Sequence, residues 1–257
     1  MTTAELHQPA TTPRRFGDVQ VPRPRRRWGV ALRALNQLLS NKEDTGQVFV
    51  IMRALVGSST MDNYQKLLTS PEGGRLAYER TELSQRLMDD AWLDSFATGT
   101  VGAAYRDFVR SENLSAEGLA QVSRERLKTA DMAHPYEWFS RRVRDIHDIW
   151  HILSGYHRDA LGEACLVAFS YAQTRSLGWA VIAVGAALRH RRASHHHAYV
   201  KAIWQGYRHG RQASWLIAED YEKLLHEPLL AARQRLNIQT PTRYEAIPVE
   251  NRNPPPH

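Results

Sequence analysis

His147, Asp148 and His151 form the pattern HDxxH, and Glu163 follows after eleven more residues. Imidazole nitrogens and carboxylate oxygens are donors that suit borderline divalent metals. Whether they act together depends on spacing. A helix turns about 100° per residue. With His147 at zero, His151 lies near ~40° and Asp148 near ~100°, so three donors share one face. Val143, Ile146, Trp150 and Leu153 form an apolar stripe beside them, so the donors border a hydrophobic surface. Arg144, at about 60°, falls on the same face and could pair with Asp148 or hold a substrate carboxylate.

Glu163 can join them only if two elements turn back on each other. The helix carrying HDxxH is predicted to begin near Pro135, a good first-turn residue, and to stop at Gly155. Asp159 is predicted to cap the next helix. His151 then sits one turn before the end of one helix and Glu163 one turn into the next. An antiparallel hairpin brings both to one corner. Zinc is the first candidate for such a site, with iron, manganese and cobalt as alternatives. A plainer reading is a wet His–Asp network, with Glu163 favoured by the helix dipole. Spacing alone leaves both open.

Other residues that could do chemistry read more plainly. His195 to His197 follow Arg191 and Arg192 and are expected in an exposed polar loop. Cys165 has no evident base nearby and is expected to be a buried small residue. Trp204, Tyr207, Trp215 and Tyr221 are expected in core or interface. No dinucleotide fingerprint, P-loop or nucleophile elbow is present.

The surrounding elements read as helix after helix. Residues 28–39, 45–56, 75–88 and the stretch from Thr98 or Thr100 to Arg110 have helical spacing, though Val48 to Ile51 alone could be a strand. Pro71 to Gly74 reads as a break, and Ser115 as a further cap. Leu177 to Leu188 is too short to span a bilayer, which needs about 20 residues. It is expected as a buried helix or one wall of a lipid pocket. Two or three more helices run to about Leu236. Sustained alternation is absent, so the fold is expected to be all-α, with a single-domain multi-helix bundle over residues 28–248.

The 257 residues are 42% hydrophobic and 24% charged, which is ordinary for a globular chain. One cysteine rules out an internal disulfide framework and a thiolate zinc site. The net charge is +7, with Arg14, Arg15, Arg23, Arg25, Arg26 and Arg27 concentrated in an arm over residues 1–27. That arm is expected to be disordered and suited to anionic lipid headgroups. No aromatics alternate with its cations, so nucleic acid is not expected as a partner. No secretory signal is expected. The Pro-rich end, residues 249–257, is expected to be a disordered tail.

The motif and its surroundings resemble the coenzyme Q (ubiquinone) biosynthesis protein 4 family. That family's HDxxHx(11)E signature is carried by His147, Asp148, His151 and Glu163. Ser154, Gly155, Tyr156 and Gly162 resemble its flanking block. Gly99 to Tyr105 resembles an upstream segment. Gly210, Arg211 and Pro228 to Leu236 are similar to its closing helices. The resemblance is colinear from about residue 32 to about residue 244. It implies a divalent metal at the four signature residues and peripheral membrane association. It also implies action on a polyprenylated hydroxybenzoate precursor of ubiquinone. The implied reaction removes the carboxylate from ring carbon 1, in an oxidative form with hydroxylation there, which makes the protein a carbon–carbon lyase. Arg144 would orient the substrate carboxylate. The family also implies partners among other ubiquinone biosynthesis enzymes, whose complex the protein helps to organise, and a homo-oligomer is compatible with that role. The expected location is the inner face of a bacterial cytoplasmic membrane, or alternatively the matrix side of the mitochondrial inner membrane. Two other readings use the same residues: a non-catalytic lipid-binding scaffold, and a metallohydrolase in which HDxxH stands for HExxH.

Overall fold

The structure, a computed structural model, describes residues 25–41, 44, 46–111, 135–189 and 196–253. Among them the regular structure is helical, with one isolated bridge, Thr100 to Pro228, as the sole β-type pairing. In chain order the helices are α1 (Trp28–Ser40), α2 (Gly46–Leu55), α3 (Ser59–Leu67), α4 (Pro71–Glu79), α5 (Leu83–Leu87), α6 (Asp90–Asp94), α7 (Val101–Ser111), α8 (Tyr136–Ser154), α9 (Ala160–Thr174), α10 (Leu177–Arg189), α11 (His196–Gln212), α12 (Tyr221–Leu224), α13 (Leu229–Arg235) and α14 (Thr242–Glu245). Short 3-10 turns occupy Leu216–Ala218 and Val249–Asn251. The all-α expectation holds, and Val48 to Ile51 lie in α2 rather than in a strand.

The core is organised around α9, whose residues from Leu161 to Thr174 are buried on nearly every side. Such a helix needs apolar residues all round, which is what LGEACLVAF supplies. Its closest neighbour is α11. A Cβ at Gly206 would stand 2.4 Å from the Cys165 carbonyl oxygen, and one at Gly210 2.5 Å from that of Phe169. Glycine at both positions therefore lets the two backbones approach. Gln173, buried at the end of α9, donates to the carbonyls of Gly210 (2.7 Å) and Ser214 (3.1 Å) and accepts from the Leu216 amide (2.9 Å). No polar atom of that side chain is wasted in the core. Helices α1, α2 and α10 pack on one another as a second layer.

Helix α8 buries Trp138, Phe139, Ile146, Ile149, Trp150 and Leu153. Its Trp150 indole donates to the Tyr221 hydroxyl (2.6 Å), which donates on to the Leu216 carbonyl (3.0 Å). Gly155 ends the helix at φ 77°, its amide donating to the His151 carbonyl (2.9 Å). Only a left-handed residue closes the helix this way, so glycine serves there.

Three local expectations are corrected. Pro71 to Gly74 is the opening of α4, not a break: Pro71 sits in the first turn and the Ser70 hydroxyl accepts from the Gly73 amide (3.1 Å). The predicted helix over 75–88 is interrupted, because Arg80 turns left-handed at φ 51° before α5 starts. The C-terminal tail is docked as far as Asn253, in place of a loose end from 249. Arg252 is buried, donates from Nε to the Ile247 carbonyl (2.8 Å) and lies 4.3 Å over the Tyr244 ring. A sequence of Asn, Arg and Pro gives no periodic sign of such docking. The cap of α7 is Thr100, whose hydroxyl accepts from the Ala103 amide (3.2 Å). Ser115, most of the basic arm, His195 and residues 254–257 lie outside the described residues.

Candidate metal centre

The hairpin from α8 to α9 places His151 Nε2 3.4 Å from Glu163 Oε1. Asp159 produces this registration: its carboxylate accepts from the Gly162 amide (2.8 Å), fixing the first turn of α9 one residue before Glu163. A Cβ at Gly162 would fall 2.0 Å from the His157 carbonyl oxygen, so the loop can close tightly only on glycine. The Tyr244 hydroxyl donates to the other Asp159 oxygen and holds the cap from α14.

His147 joins the pair. One donor atom from each of His147, His151 and Glu163 lies within 4.8 Å of the other two. Ligands about 2.1 Å from a tetrahedral ion are spaced about 3.4 Å apart, so these three side chains could hold one divalent cation once they draw slightly together. The rings are also oriented for it. His151 Nδ1 lies 2.8 Å from the Tyr156 carbonyl oxygen, which requires the proton on Nδ1 and leaves the Nε2 lone pair toward Glu163. The His147 ring stacks on Trp179 at 5.0 Å and 5°, and its Nδ1 lies 3.4 Å from the Ser170 hydroxyl. Phe108 from α7 stacks on His151 at 5.6 Å.

Asp148 does not belong to the converging triplet. Its charge nonetheless acts on both imidazoles, favouring their protonated forms. Arg144 lies with Nε 3.5 Å from Asp145 Oδ1. It lines a cavity of about 230 Å³ with Phe49, Met52, Val56, Val143 and Trp179. Trp179 is common to the cavity and to the His147 stack, so the apolar space adjoins the cluster. Of α10, Trp179 lines the cavity, while Val184 and Leu188 face outward.

Electrostatics separate the two histidines. Burial, then the neighbouring His151, pushes the His147 pKa down to about 4, so its ring is neutral. Burial also opposes charge on His151, but the adjacent Glu163 carboxylate outweighs it and the pKa is raised. Burial raises the Glu163 carboxyl, while His151, His147 and Arg158 together bring it below its ordinary value. Arg158 Nε is 3.8 Å from Glu163 Oε1. Glu163 thus favours the protonated form of His151, beside a neutral His147.

Sequence reasoning missed Ser170, Phe108 and Trp179. Ser170 was findable, since it lies seven residues after Glu163 and so on the same face of α9. Phe108 and Trp179 come from other helices and carry no local signal. Cys165 is buried, and burial pushes its thiol well up, in keeping with a packing role. His196 and His197 open α11 rather than lying in a loop, and neither joins the cluster. Tyr221 is core, whereas Trp204 is exposed.

The family model described as Coenzyme Q (ubiquinone) biosynthesis protein Coq4 matches residues 29–242. The chain is 26% identical over 198 residues to the Ubiquinone biosynthesis protein COQ4 homolog, mitochondrial, of Rattus norvegicus, covering 75% of this chain and 72% of that one. With the Bos taurus homolog of the same name it shares 28% over 202 residues, 76% of this chain and 74% of that one. In three dimensions it is similar to the crystal structure of a protein from Nostoc punctiforme PCC 73102 named for ubiquinone biosynthesis. The TM-score is 0.64 at 22% identity, over 84% of this chain and all of that one, which speaks for the fold. The match runs through the HDxxH helix, the Glu163 helix and the elements that support them, and by it the chain belongs to the coenzyme Q (ubiquinone) biosynthesis protein Coq4 family, whose members take part in ubiquinone biosynthesis.

Proposed function

We propose that the chain is a metal-dependent decarboxylase acting at ring carbon 1 of a polyprenylated hydroxybenzoate precursor of ubiquinone. The observation that carries this reading is the convergence of His147, His151 and Glu163 beside an apolar cavity lined by Arg144. In the reaction the bond from ring carbon 1 to the carboxylate breaks. Carbon dioxide leaves, the electron pair stays on the ring, and a proton takes the vacated position. A divalent metal, zinc first among the candidates, would supply Lewis acidity that draws this electron density. Iron, manganese or cobalt would suit the same donors.

The remaining work falls to this chain's own groups. His147 and His151 present oriented nitrogens, one steadied by Trp179 and the other by the Tyr156 carbonyl. Glu163 would offset the positive charge of a bound cation. Asp148 adds negative charge beside the rings and joins the ligand set if its side chain turns toward them. With His147, His151 and Glu163 alone as protein donors, a four-coordinate ion would keep a position for substrate, and with Asp148 as a fourth its coordination would have to expand. Arg144 pairs with the substrate carboxylate at the cavity wall, and the apolar lining of Phe49, Met52 and Val56 takes part of the polyprenyl tail. An oxidative form with hydroxylation needs an oxidant that zinc cannot activate, so a redox metal or partner enzyme would supply that step.

Association with a membrane surface and with other ubiquinone biosynthesis enzymes follows from the same reading. No helix of the described residues is long and apolar enough to cross a membrane. The bacterial cytoplasmic face and the mitochondrial matrix face make the same demand on this fold, and the mitochondrial names of the curated relatives speak for the second.

The test is turnover of a polyprenylated hydroxybenzoate by metal-stripped protein reloaded with zinc, iron, manganese or cobalt. Release of carbon dioxide that depends on metal and is abolished by His147→Ala with His151→Ala supports the reading. Undiminished turnover in that double variant would overturn it.

A further inference from the structure

Arg26, Lys66, Arg175 and Arg211 line one polar cavity of about 540 Å³ between the start of α3 and the C-terminal ends of α9 and α11. Several arginines elsewhere in the chain meet acids, while others, Arg233 and Arg252 among them, donate to backbone carbonyls. Arg75 meets Glu72, Glu79 and Asp220, Arg141 meets Glu82 and Glu137, and Arg235 meets Glu219 and Glu227. Among the described residues, none of the four cavity cations forms an ion pair with a carboxylate. Asp62 is the sole acid in the lining, and its carboxylate accepts the Ser58 hydroxyl (2.7 Å).

All four cations are solvent-exposed. The Lys66 ammonium lies 4.1 Å above the Trp215 ring. Burial and then Arg175 lower the Lys66 pKa, so the two positive groups feel each other. The nearby Arg211 and Arg175 guanidinium groups lower the pKa of the Tyr207 phenol. Helix C-termini favour cations. That accounts for Lys66, Arg175 and Arg211 singly, but not for their facing one space, nor for Arg26, which precedes α1. Like charges gathered this way repel, and a multiply charged anion offsets the repulsion.

We propose that this cavity binds a phosphate group, a phosphomonoester or diphosphate, carried either by a free ligand or by a lipid headgroup. Three guanidinium forks and an ammonium offer more donors than a single carboxylate can use, which favours a phosphate dianion. The site is separate from the His–Glu cluster. Glu163 lies in the first turn of α9 and Arg175 just past its last, about 18 Å away along the axis. Ser59, Asn63 and Thr174 divide it from the apolar cavity, with Asn63 Nδ2 donating to the Thr174 carbonyl (2.5 Å). The proposal therefore stands whether or not the chain is a decarboxylase.

The test titrates the full chain with pyrophosphate at constant ionic strength. In parallel it measures flotation with vesicles of phosphatidic acid in phosphatidylcholine against phosphatidylcholine alone. Saturable binding in the first arm identifies a free phosphate ligand, and in the second arm alone a lipid headgroup. Arg175→Gln with Arg211→Gln should weaken whichever binding occurs by about tenfold or more. Arg33→Gln with Arg243→Gln removes the same charge outside the cavity and should leave affinity within about twofold. Should the first double variant not fold, Lys66→Gln at an exposed position replaces it, with a several-fold loss expected. No saturable binding in either arm, or equal weakening by cavity and control variants, would overturn the proposal.

Discussion

The His147 imidazole lies face to face with the Trp179 indole, with ring centroids 5.0 Å apart and planes 5° apart. The contact joins α8 to α10 and decides where one of the converging nitrogens points. Groups that orient a ligand typically contribute about 10–100-fold to metal affinity. Trp179→Leu is therefore expected to weaken zinc binding about tenfold while the protein stays folded. Competition with a chromophoric chelator measures this, and an unchanged affinity would remove Trp179 from the site. Trp179→Phe keeps a stacking ring and should recover most of the loss.

The two histidines predict a distinct pH response. His147 stays neutral down to about 4 and offers no competing proton above that. His151 has a raised pKa, so a proton must leave it before Nε2 can bind a cation. Metal affinity should climb as pH rises past the ordinary histidine range of about 6.5 and level off above the His151 pKa. The metal-free protein should show the opposite trend. Stability from the His151–Glu163 pair is lost as pH rises from about 6.5 through the folded His151 pKa, and is lost again in acid as Glu163 takes up its proton. Thermal unfolding of stripped protein against pH checks the sign, and His151→Gln should flatten that part of the curve.

Much of this site was legible because its framework is local. Gly155 and Asp159 each have one strong conformational preference, and together they fix the hairpin that joins His151 to Glu163. Pro71 misled because proline both breaks helices and opens them, and the Ser70 cap decides between the two. Arg80 adopts a left-handed turn with no glycine to announce it. Phe108 and Trp179 reach the histidines through tertiary packing, which periodicity within one helix does not encode. Arg252 docks through a cation–π contact with Tyr244, side-chain hydrogen bonds to the Ile247 and Glu245 carbonyls and a backbone bond from the Leu161 amide, none of which a periodic pattern announces.

Asp159 sets the first turn of α9 through the Gly162 amide and receives the Tyr244 hydroxyl. Asp159→Ala should cost about 1–2 kcal/mol, the upper range for a lost N-cap, because it also strands the phenol. Glu163 follows in that same turn, so metal affinity should fall with stability. Asp159→Asn retains a capping oxygen and should lose less of both. Urea unfolding and chelator competition on the same preparations test the coupling. A large loss of stability with unaltered affinity would show that the cap does not place Glu163.

The C-terminal segment should matter to the same helix. The Leu161 amide donates to the Arg252 carbonyl (3.1 Å), and the Ala160 amide to the Asn253 side chain (2.8 Å). These are first-turn amides of α9, which have no partner inside their own helix. Arg252 also covers the Tyr244 ring, and Tyr244 holds the Asp159 cap. Truncation after Pro248 removes the Arg252 and Asn253 contacts, leaving Tyr244 on Asp159, and should destabilise the protein by about 2–4 kcal/mol, from two hydrogen bonds and one desolvated cation–π contact. Arg252→Ala keeps the backbone carbonyl and should lose about half as much. If the truncated chain unfolds at the same urea concentration as the full chain, the tail does not contribute to α9. If it unfolds earlier and binds metal more weakly, the tail acts on Glu163 through the start of its helix.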